Sequence, residues 1–420
     1  MPQSLVILGR QPELGLAELE SLYGASAVEP LLPYAARLHI DACTVDMSRL
    51  GGVLKLCKVL TELDTTEWYK IEQFLIRVSP AQATRMPEGK MHLGLSVYLP
   101  GVDTKQLLAT GLKIKKAIRQ DSSRSVHLVP NKTPQLNTAQ VIHNKLTTPN
   151  GWELTLVPNG TKTIVAQTVS VQDIDAYAAR DFARPKRDAR VGMLPPKLAQ
   201  IIINLATGPA EFAVAKDHLS TGICLSEADT TSLRTSRHAA RLLDPFCGTG
   251  VILQEAALMG YTTYGTDLET RMIDYARVNL EWLQEQYPTR PVDTSLAAGD
   301  ATTFRWQAPL DIIASETYLG RPFTRQPDAE TLSQTITECN LILRKFLQNI
   351  RSQLSSGTRL CLAIPAWQTR PGYFRHLPLI DQLSDLGYNQ LRFEHRRGDN
   401  LIYYRTDQIV ARQLLVLTKV

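Results

Sequence analysis

Apolar and polar residues recur at regular spacings along the amino-terminal part of the chain and predict short strands and helices. An apolar run over residues 4–8 predicts a strand, and helically spaced leucines over 14–22 predict a helix. A second strand is predicted at 38–40, and a second helix is predicted over 47–63, where apolar positions recur in pairs. The order strand, helix, strand, helix indicates a ferredoxin-like domain over residues 1–65.

The patterns beyond this point predict further α/β structure. In residues 66–170 the predicted elements are strands at 93–99, 125–129, 152–157 and 163–169 and helices at 103–120 and 138–146. Residues 171–196 are rich in charge and interrupted by proline, which indicates a linker. From 197 to 420 strands and helices alternate, as a doubly wound sheet requires, and residues 401–405 and 411–417 predict a hairpin near the end. The sequence therefore predicts an α/β fold class throughout.

Composition narrows the class of protein without indicating a function. The chain has 420 residues, 44% hydrophobic and 21% charged, which is ordinary for two or three globular domains. It has no apolar run of roughly 20 residues and no basic leader, so we expect neither a membrane span nor a signal peptide. The cysteines are scattered and HExxH is absent, so we expect no metal site and a reducing, cytoplasmic location. A net charge of +5 permits a polyanionic partner without requiring one.

A glycine-bearing turn after a predicted strand is the strongest candidate for a ligand site. The strand at 240–244 ends in Asp244, Gly248 and Gly250 follow it, and a helix is predicted from 251. Glycines let the backbone adopt positive φ close to a ligand, and such sheets bind ligands at the carboxyl ends of their strands. The dinucleotide pattern GxGxxG is absent, because three apolar residues follow the second glycine.

Two more acidic residues end the strands that follow. Asp267 lies one strand-helix-strand unit beyond Asp244, where a carboxylate can hold both hydroxyls of a ribose. Asp300 follows the next predicted strand and can accept a hydrogen bond from an adenine amino group. The predicted cofactor-binding residues are Asp244, Pro245, Phe246, Gly248, Gly250, Asp267 and Asp300.

These residues resemble a known family. The letters DPFCGTG at 244–250, with the acids at 267 and 300, resemble class I methyltransferases that act on nucleic-acid amino groups. More narrowly, the chain resembles the THUMP-containing tRNA guanine-N2 methyltransferases, through residues 7–12, 136–146, 180–185 and 192–199. The resemblance implies a C-terminal Rossmann-like class I methyltransferase domain preceded by a ferredoxin-like and a THUMP-like region. It also implies S-adenosyl-L-methionine as the cofactor.

The catalytic loop of that family is altered in this chain. The family carries [Asp/Asn]-Pro-Pro-[Tyr/Phe], in which the first residue and a proline carbonyl hold the exocyclic amine and the ring stacks on the base. Here the predicted strand at 310–314 leads into the letters SETYLG, which lack both prolines. Alignment on the glycine puts Glu316 in the acid position and Leu319 in the aromatic one, whereas alignment on the aromatic ring uses Ser315 and Tyr318. The predicted catalytic residues are Glu316, as acceptor, with Tyr318 and Ser315.

Two basic segments are candidates for contacts with RNA phosphates, which would give salt-dependent affinity. They lie in the helix at 103–120 and in the linker, where Arg180 and Arg190 belong to the same cluster. The predicted RNA-binding residues are Lys113, Lys115, Lys116, Arg119, Arg184, Lys186 and Arg187. The target base must be unpaired or flipped to reach a catalytic domain, with Phe246 and Tyr318 as candidate stacking rings.

The resemblance implies an enzyme that methylates the exocyclic amine of a guanine in tRNA, with tRNA as partner and no membrane association. Some relatives need a small activating subunit. Two alternatives stay open: a non-catalytic tRNA-binding relative that acts as a scaffold or chaperone, for which the altered loop argues, and a DNA amino-methyltransferase, against which the THUMP-like region argues.

Overall fold

The structure is a computed structural model that describes residues 3–188, 194–209, 240–290, 292–323, 325–395, 401–405 and 408–420. Contacts divide the chain into two compact units. The first takes in the described parts of Met1–Pro12, Ser26–Ser48 and Val53–Ile174. The second takes in Glu13–Ala25, Arg49–Gly52 and the described parts of Asp175–Val420. The first 52 residues are therefore shared between the units.

One eight-stranded sheet forms the centre of the first unit. Its strands are β1 (Ser4–Leu8), β2 (Val28–Leu32), β3 (Ala35–Leu38), β4 (Val53–Leu63), β5 (Met91–Val97), β6 (Val126–Leu128), β7 (Gly151–Asn159) and β8 (Lys162–Val171). They lie in the order β2-β3-β1-β4-β8-β7-β5-β6, and β5 runs parallel to both of its neighbours. The boundary predicted between residues 65 and 66 thus falls inside this unit, and both flanking regions contribute strands to its sheet.

The helix predicted over 47–63 is wrong, because Val53–Leu63 is strand β4. This strand lies between β1 and β8 in the sheet, and consecutive residues in its first half are buried, which means that both of its faces are covered there. A strand covered on both faces carries apolar residues at adjacent positions instead of alternate ones. Such pairs of apolar residues are also typical of a helix. Residues 53–63 form a strand because they pair with strands that are distant in the sequence.

Helices cover the sheet of the first unit. They are α2 (Trp68–Arg85), α3 (Thr104–Ser122) and α4 (Thr138–His143). Ile71 of α2 and Ile114 of α3 pack in one core cluster with Leu93 and Trp152 of the sheet. Asp103 begins α3 with a capping box: its side chain accepts from the N–H of Gln106, whose side chain accepts from the N–H of Asp103.

Helix α1 (Pro12–Tyr23), which the leucine spacing predicted, belongs to the second unit. Its Leu14 and Ala17 pack in one cluster with residues of α6 (Pro196–Thr207), such as Leu198 and Ile202. Glu18 on α1 is also buried and accepts from the N–H groups of residues 51 and 52 and from Asn204 of α6. The amino-terminal helix is therefore part of the core of the second unit.

The second unit is built on a sheet that has nine strands among the described residues. Its strands are β9 (Arg241–Asp244), β10 (Thr262–Asp267), β11 (Thr294–Ala298), β12 (Ile312–Glu316), β13 (Arg359–Arg370), β14 (Tyr373–Arg375), β15 (Tyr388–Gln390), β16 (Leu401–Tyr403) and β17 (Val410–Lys419). The main path is β11-β10-β9-β12-β13-β17-β15, parallel from β11 to β13 and antiparallel beyond. The predicted carboxyl-terminal hairpin is confirmed by the pairing of β16 with β17.

Helices lie on both faces of this sheet. Besides α6 they are α5 (Ile174–Phe182), α7 (Val251–Leu258), α8 (Thr270–Gln286) and α9 (Ala329–Arg351). Ile312 and Ala314 of β12 pack with α6 and α7, whereas Ile313 between them packs with α9. Successive side chains of a strand point to opposite faces, so the unbroken apolar run in β12 serves two layers of helices. The predicted doubly wound sheet is confirmed, and none of the described helices is long and apolar enough to cross a membrane.

The capping box of α3 gives the first prediction. We expect Asp103→Ala to lower the free energy of unfolding by about 1 kcal/mol, because the backbone N–H of Gln106 loses its partner. Urea unfolding followed by circular dichroism measures the change. Asp121→Ala, near the other end of the same helix, is the control; it removes an acid from the negative end of the helix dipole and should not destabilise. Equal destabilisation by both variants would contradict the role of the cap.

Candidate active site

The loop between β9 and α7 forms the floor of the candidate site. Gly248 and Gly250 have φ of 49° and 83°, a region that favours glycine. A Cβ atom on Gly250 would also lie 3.1 Å from the Cβ of Ala276 on α8. The N–H of Gly248 donates to Oδ2 of Asp267 at 2.9 Å, which joins the loop to the end of β10. The conformation of the loop therefore favours glycine at both predicted positions.

Asp244, the last residue of β9, is buried beneath this loop. Its Oδ1 accepts from the hydroxyl of Ser315 at 2.6 Å and from the N–H of Phe246 at 3.3 Å. Burial raises the pKa of Asp244 to about 8, and the negative charges of Asp267 and Glu316 act in the same direction. The Ser315 hydrogen bond opposes this rise. The cofactor loop and the end of β12 are therefore joined by one buried hydrogen bond.

The three predicted acids lie at the carboxyl ends of three adjacent strands. Asp267 accepts from the N–H groups of Gly248 and Glu269, and burial raises its pKa. Asp300 is exposed, and its Oδ1 accepts from the N–H of Thr302 at 2.8 Å. The N–H of Gly299 donates to the carbonyl of Asp267, so the loops after β10 and β11 touch. Carboxyl ends of parallel strands meet at one edge, which brings Asp244, Asp267 and Asp300 to the same side of the sheet.

The aromatic side chains near the loop contribute to packing. Phe246 is half-buried and its ring meets that of Phe346 edge to face, with centroids 5.2 Å apart. Tyr318 is also half-buried against the cluster that contains Phe346, and burial together with the nearby Glu338 raises its pKa. Pro245 accepts at its carbonyl from the hydroxyl of Thr266 at 3.3 Å. Stacking of Phe246 or Tyr318 on a base therefore stays a prediction.

The end of β12 shows what the missing prolines change. The N–H of Thr317, where the family has its first proline, donates to the carbonyl of Ala363 on β13 at 3.0 Å. Proline has no N–H, so this additional pairing to β13 depends on its loss. Gly320 has a φ of 85°, which favours glycine at this position, and the alignment that puts Glu316 in the acid position stays a prediction.

Glu316 has a partner that the sequence patterns did not identify. Nε of Arg412, on β17, donates to Oε1 of Glu316. The two side chains are 14% and 7% exposed, respectively. The signal that could have revealed this residue is a single arginine in an otherwise largely apolar carboxyl-terminal strand, VARQLLVLTK.

The linker contacts the cofactor loop through Asn279 of α8. Its side chain accepts from the N–H of Lys186 and donates to the carbonyls of Lys186 and Thr249, each at 2.9 Å. Asn279 is fully buried. A segment that the charge pattern marked as a linker is thereby anchored beside the candidate site.

The linker arginines are not equivalent. Arg184 does not fit its predicted phosphate contact, because its side chain is 2% exposed and lies 3.7 Å from Asp181. Arg180 is buried too and pairs with Glu255 through two hydrogen bonds of 2.7 and 3.2 Å. Lys186 and Arg187 lie over the rings of Tyr275 and Phe182 and remain candidates for RNA contacts. Arg190 lies outside the described residues.

Helix α3 of the first unit carries the other predicted basic cluster. Lys113 donates to Oε2 of Glu72 on α2 at 2.9 Å, so part of its charge is neutralised within the protein. Lys115, Lys116 and Arg119 line a shallow surface pocket together with Leu112 and Gln120. These three residues form a continuous basic surface on one turn and a half of helix.

The strand order and the acidic edge define a Rossmann-like methyltransferase fold in the second unit. The path reverses beside β9, and open α/β sheets bind ligands at such a reversal. Residues 232–369 match the family described as UPF0020: RMKL-like, methyltransferase domain. Over the full length of both chains, the fold is similar to the crystal structure of TrmN from Thermus thermophilus, with a TM-score of 0.50 and 15% identity.

Two curated relatives match part of the chain in sequence, and both are called tRNA (guanine(10)-N2)-dimethyltransferase. The protein of Methanothermobacter thermautotrophicus is 33% identical over 125 residues, which cover 30% of this chain and 33% of the relative. The protein of Pyrococcus abyssi is 26% identical over 200 residues, 46% of each chain. The chain therefore spans between a third and a half of the length of these relatives.

The buried carboxyl of Asp244 gives the second prediction. Its folded pKa of about 8 lies above the ordinary value of 3.8, so the wild-type protein loses stability as pH rises between these values. Asp244→Asn has no ionisable carboxyl at this position, so it does not lose this stability as pH rises. We expect it to melt at nearly the wild-type temperature at pH 4 and more than ~4 °C higher at pH 8. Asp274→Asn, at an exposed position on α8, is the control, and a gain that does not grow with pH would argue against a buried neutral carboxyl.

Proposed function

We propose that the protein transfers a methyl group from S-adenosyl-L-methionine to the exocyclic amine of a guanine in tRNA. One observation carries the proposal. The reversal point of the sheet holds a glycine loop and three strand-end acids, and Ser315 and Glu316 stand beside them. The names of the two curated relatives support the choice of tRNA and guanine.

The residues fit the cofactor. Gly248 and Gly250 present backbone without side chains, and Asp267 keeps lone pairs that can accept from ribose hydroxyls beyond its two backbone hydrogen bonds. Exposed Asp300 is available to an adenine amino group. When bound, S-adenosyl-L-methionine would supply a methyl group on a positively charged sulfur, next to an edge rich in carboxylates.

Glu316 performs the positioning of the amine in this proposal. With Oε1 held by Arg412, Oε2 has no hydrogen-bond partner among the described residues and can accept from the amine. That hydrogen bond fixes the nitrogen and directs its lone pair toward the methyl group, which is the main catalytic device in such transfers. Ser315 acts through Asp244, because its hydroxyl is engaged there and holds the loop to β12.

The first unit would bind the tRNA. We propose that residues 1–65 and 66–170 correspond to ferredoxin-like and THUMP-like regions, and that Lys115, Lys116 and Arg119 contact phosphates. A cytoplasmic location is part of the proposal, since the described cysteines carry thiols and not disulfides. A small activating subunit, as in some relatives, would be an additional partner.

Three measurements test the proposed function. We expect calorimetry to detect binding of S-adenosyl-L-methionine, and we expect transfer of labelled methyl into tRNA from cells that lack the gene. Mass mapping should place the product on guanine N2. Glu316→Ala should keep the cofactor affinity and lower transfer by about 100-fold, since it removes the acceptor. Cofactor binding without transfer, with tRNA binding retained, would instead support the non-catalytic scaffold; preference for duplex DNA would support a DNA enzyme.

The basic surface of α3 gives a further prediction. Affinity for nucleic acid falls as salt rises, and each lost phosphate contact reduces the magnitude of the slope of log affinity against log salt by ~0.7–0.9. We therefore expect the triple variant Lys115→Ala, Lys116→Ala, Arg119→Ala to lower the slope for tRNA binding by about 2. Lys162→Ala, which removes an exposed lysine paired with Asp64 in the same unit, is the control and should leave the slope nearly unchanged. An unchanged slope in the triple variant would exclude this helix from the RNA interface.

A further inference from the structure

Arg412 is a buried arginine with incomplete hydrogen bonding. It lies on β17 opposite Pro365 of β13, and its side chain is 7% exposed. Nε donates to Glu316, but neither terminal nitrogen of the guanidinium has a hydrogen-bond partner among the described residues. Neither terminal nitrogen is fully buried, so both donors face space that solvent or a ligand can enter.

The position of Arg412 places these donors at the candidate site. Glu316 pairs with Ala363 on β13, and Arg412 pairs with Pro365, two residues further toward the carboxyl end of the same strand. Arg412 thus lies beyond the carboxyl end of β12, and its side chain contacts that of Glu316. The open donors of the arginine and the open Oε2 of the glutamate thus belong to one ion pair, and Ser315, the residue before Glu316, holds Asp244.

A purely structural ion pair explains this arrangement less well. Buried ion pairs are a weak source of stability unless their remaining hydrogen-bonding groups are satisfied. Here the terminal N–H groups of Arg412 have no acceptor among the described residues, and Oε2 of Glu316 has no donor among them. Arg412 also balances the negative charge of Glu316, which acts against ionisation of the buried Asp244.

We propose that Arg412 is a positioning and specificity-determining residue, whose terminal N–H groups donate to the O6 atom of the target guanine while Glu316 accepts from its N–H groups. The inference rests on the proposed function. Guanine carries an acceptor, O6, beside two donors, N1–H and the 2-amino group, and the donor and acceptor of the protein pair match this order. Adenine presents an amino donor where guanine has O6, so Arg412 would face a donor and bind it poorly.

The first test compares Arg412→Lys with the wild-type protein. Lysine keeps the positive charge but lacks the planar fork that can contact Glu316 and a base together. We expect unchanged affinity for S-adenosyl-L-methionine, an unchanged melting temperature within ~2 °C, and transfer to tRNA lowered about 10- to 100-fold. Arg277→Lys, which alters an exposed ion pair with Asp274, is the matched control and should retain wild-type transfer.

The second test removes the partner atom from the RNA. Transcripts carry 2-aminopurine at the mapped target position, a base that keeps the 2-amino group but lacks O6 and the N1 hydrogen. We expect the wild-type protein to act slowly on this substrate and Arg412→Lys to be slowed no further, because the contact to O6 is already absent. This comparison separates contact with the base from a general effect on folding.

The outcomes separate the two proposals. If the wild-type protein binds the cofactor but methylates no RNA, the proposed function fails, and the role of Arg412 fails with it. If the wild-type protein methylates guanine and Arg412→Lys equals it, only the role of Arg412 is overturned. An equal loss by Arg412→Lys on guanine and on 2-aminopurine would also overturn it, since the arginine would then act without touching O6.

Discussion

The reversal of strand order beside β9 is the constraint on which the site depends. Strands β10 and β11 lie on one side of β9, and β12 and β13 lie on the other. Because the helical connections diverge there, the carboxyl ends of β9 and β12 are left with space above them. Ser315 and Asp244 bridge these two strand ends. The cofactor loop, the acids and Glu316 are brought together by this topology, although they are far apart in the chain.

Those parts of the site that follow directly from local patterns could be predicted from the sequence. An acid at the end of a strand is a local signal, strengthened at Asp244 by the glycines and helix that follow it, and Asp244, Asp267 and Asp300 all lie at strand ends. Arg412 could not be found in this way. It reaches Glu316 across an antiparallel strand at the far end of the chain, and such pairing depends on the register of the folded sheet.

The same distinction between local patterns and distant contacts explains which elements of the fold could be predicted. Helix α3 and the carboxyl-terminal hairpin were predicted because their periodicity and turn residues agree with their final environment. Strand β4 was mistaken for a helix because burial on both faces removed the alternation by which strands are recognised. The burial of Arg184 was missed for a related reason: a charged residue in a proline-rich segment indicates solvent unless its distant surroundings are known.

The membership of α1 in the second unit has a consequence for how the protein is made. The helix leaves the ribosome well before the residues of α6 that bury it, which come more than a hundred residues later. At ordinary rates of translation, its apolar face stays uncovered for roughly 10 to 30 s. The first unit can complete its sheet in this interval, but the second can close its core only when α6 has emerged. The nascent chain therefore carries the apolar face of residues 12–23 exposed to solvent until α6 has been synthesised.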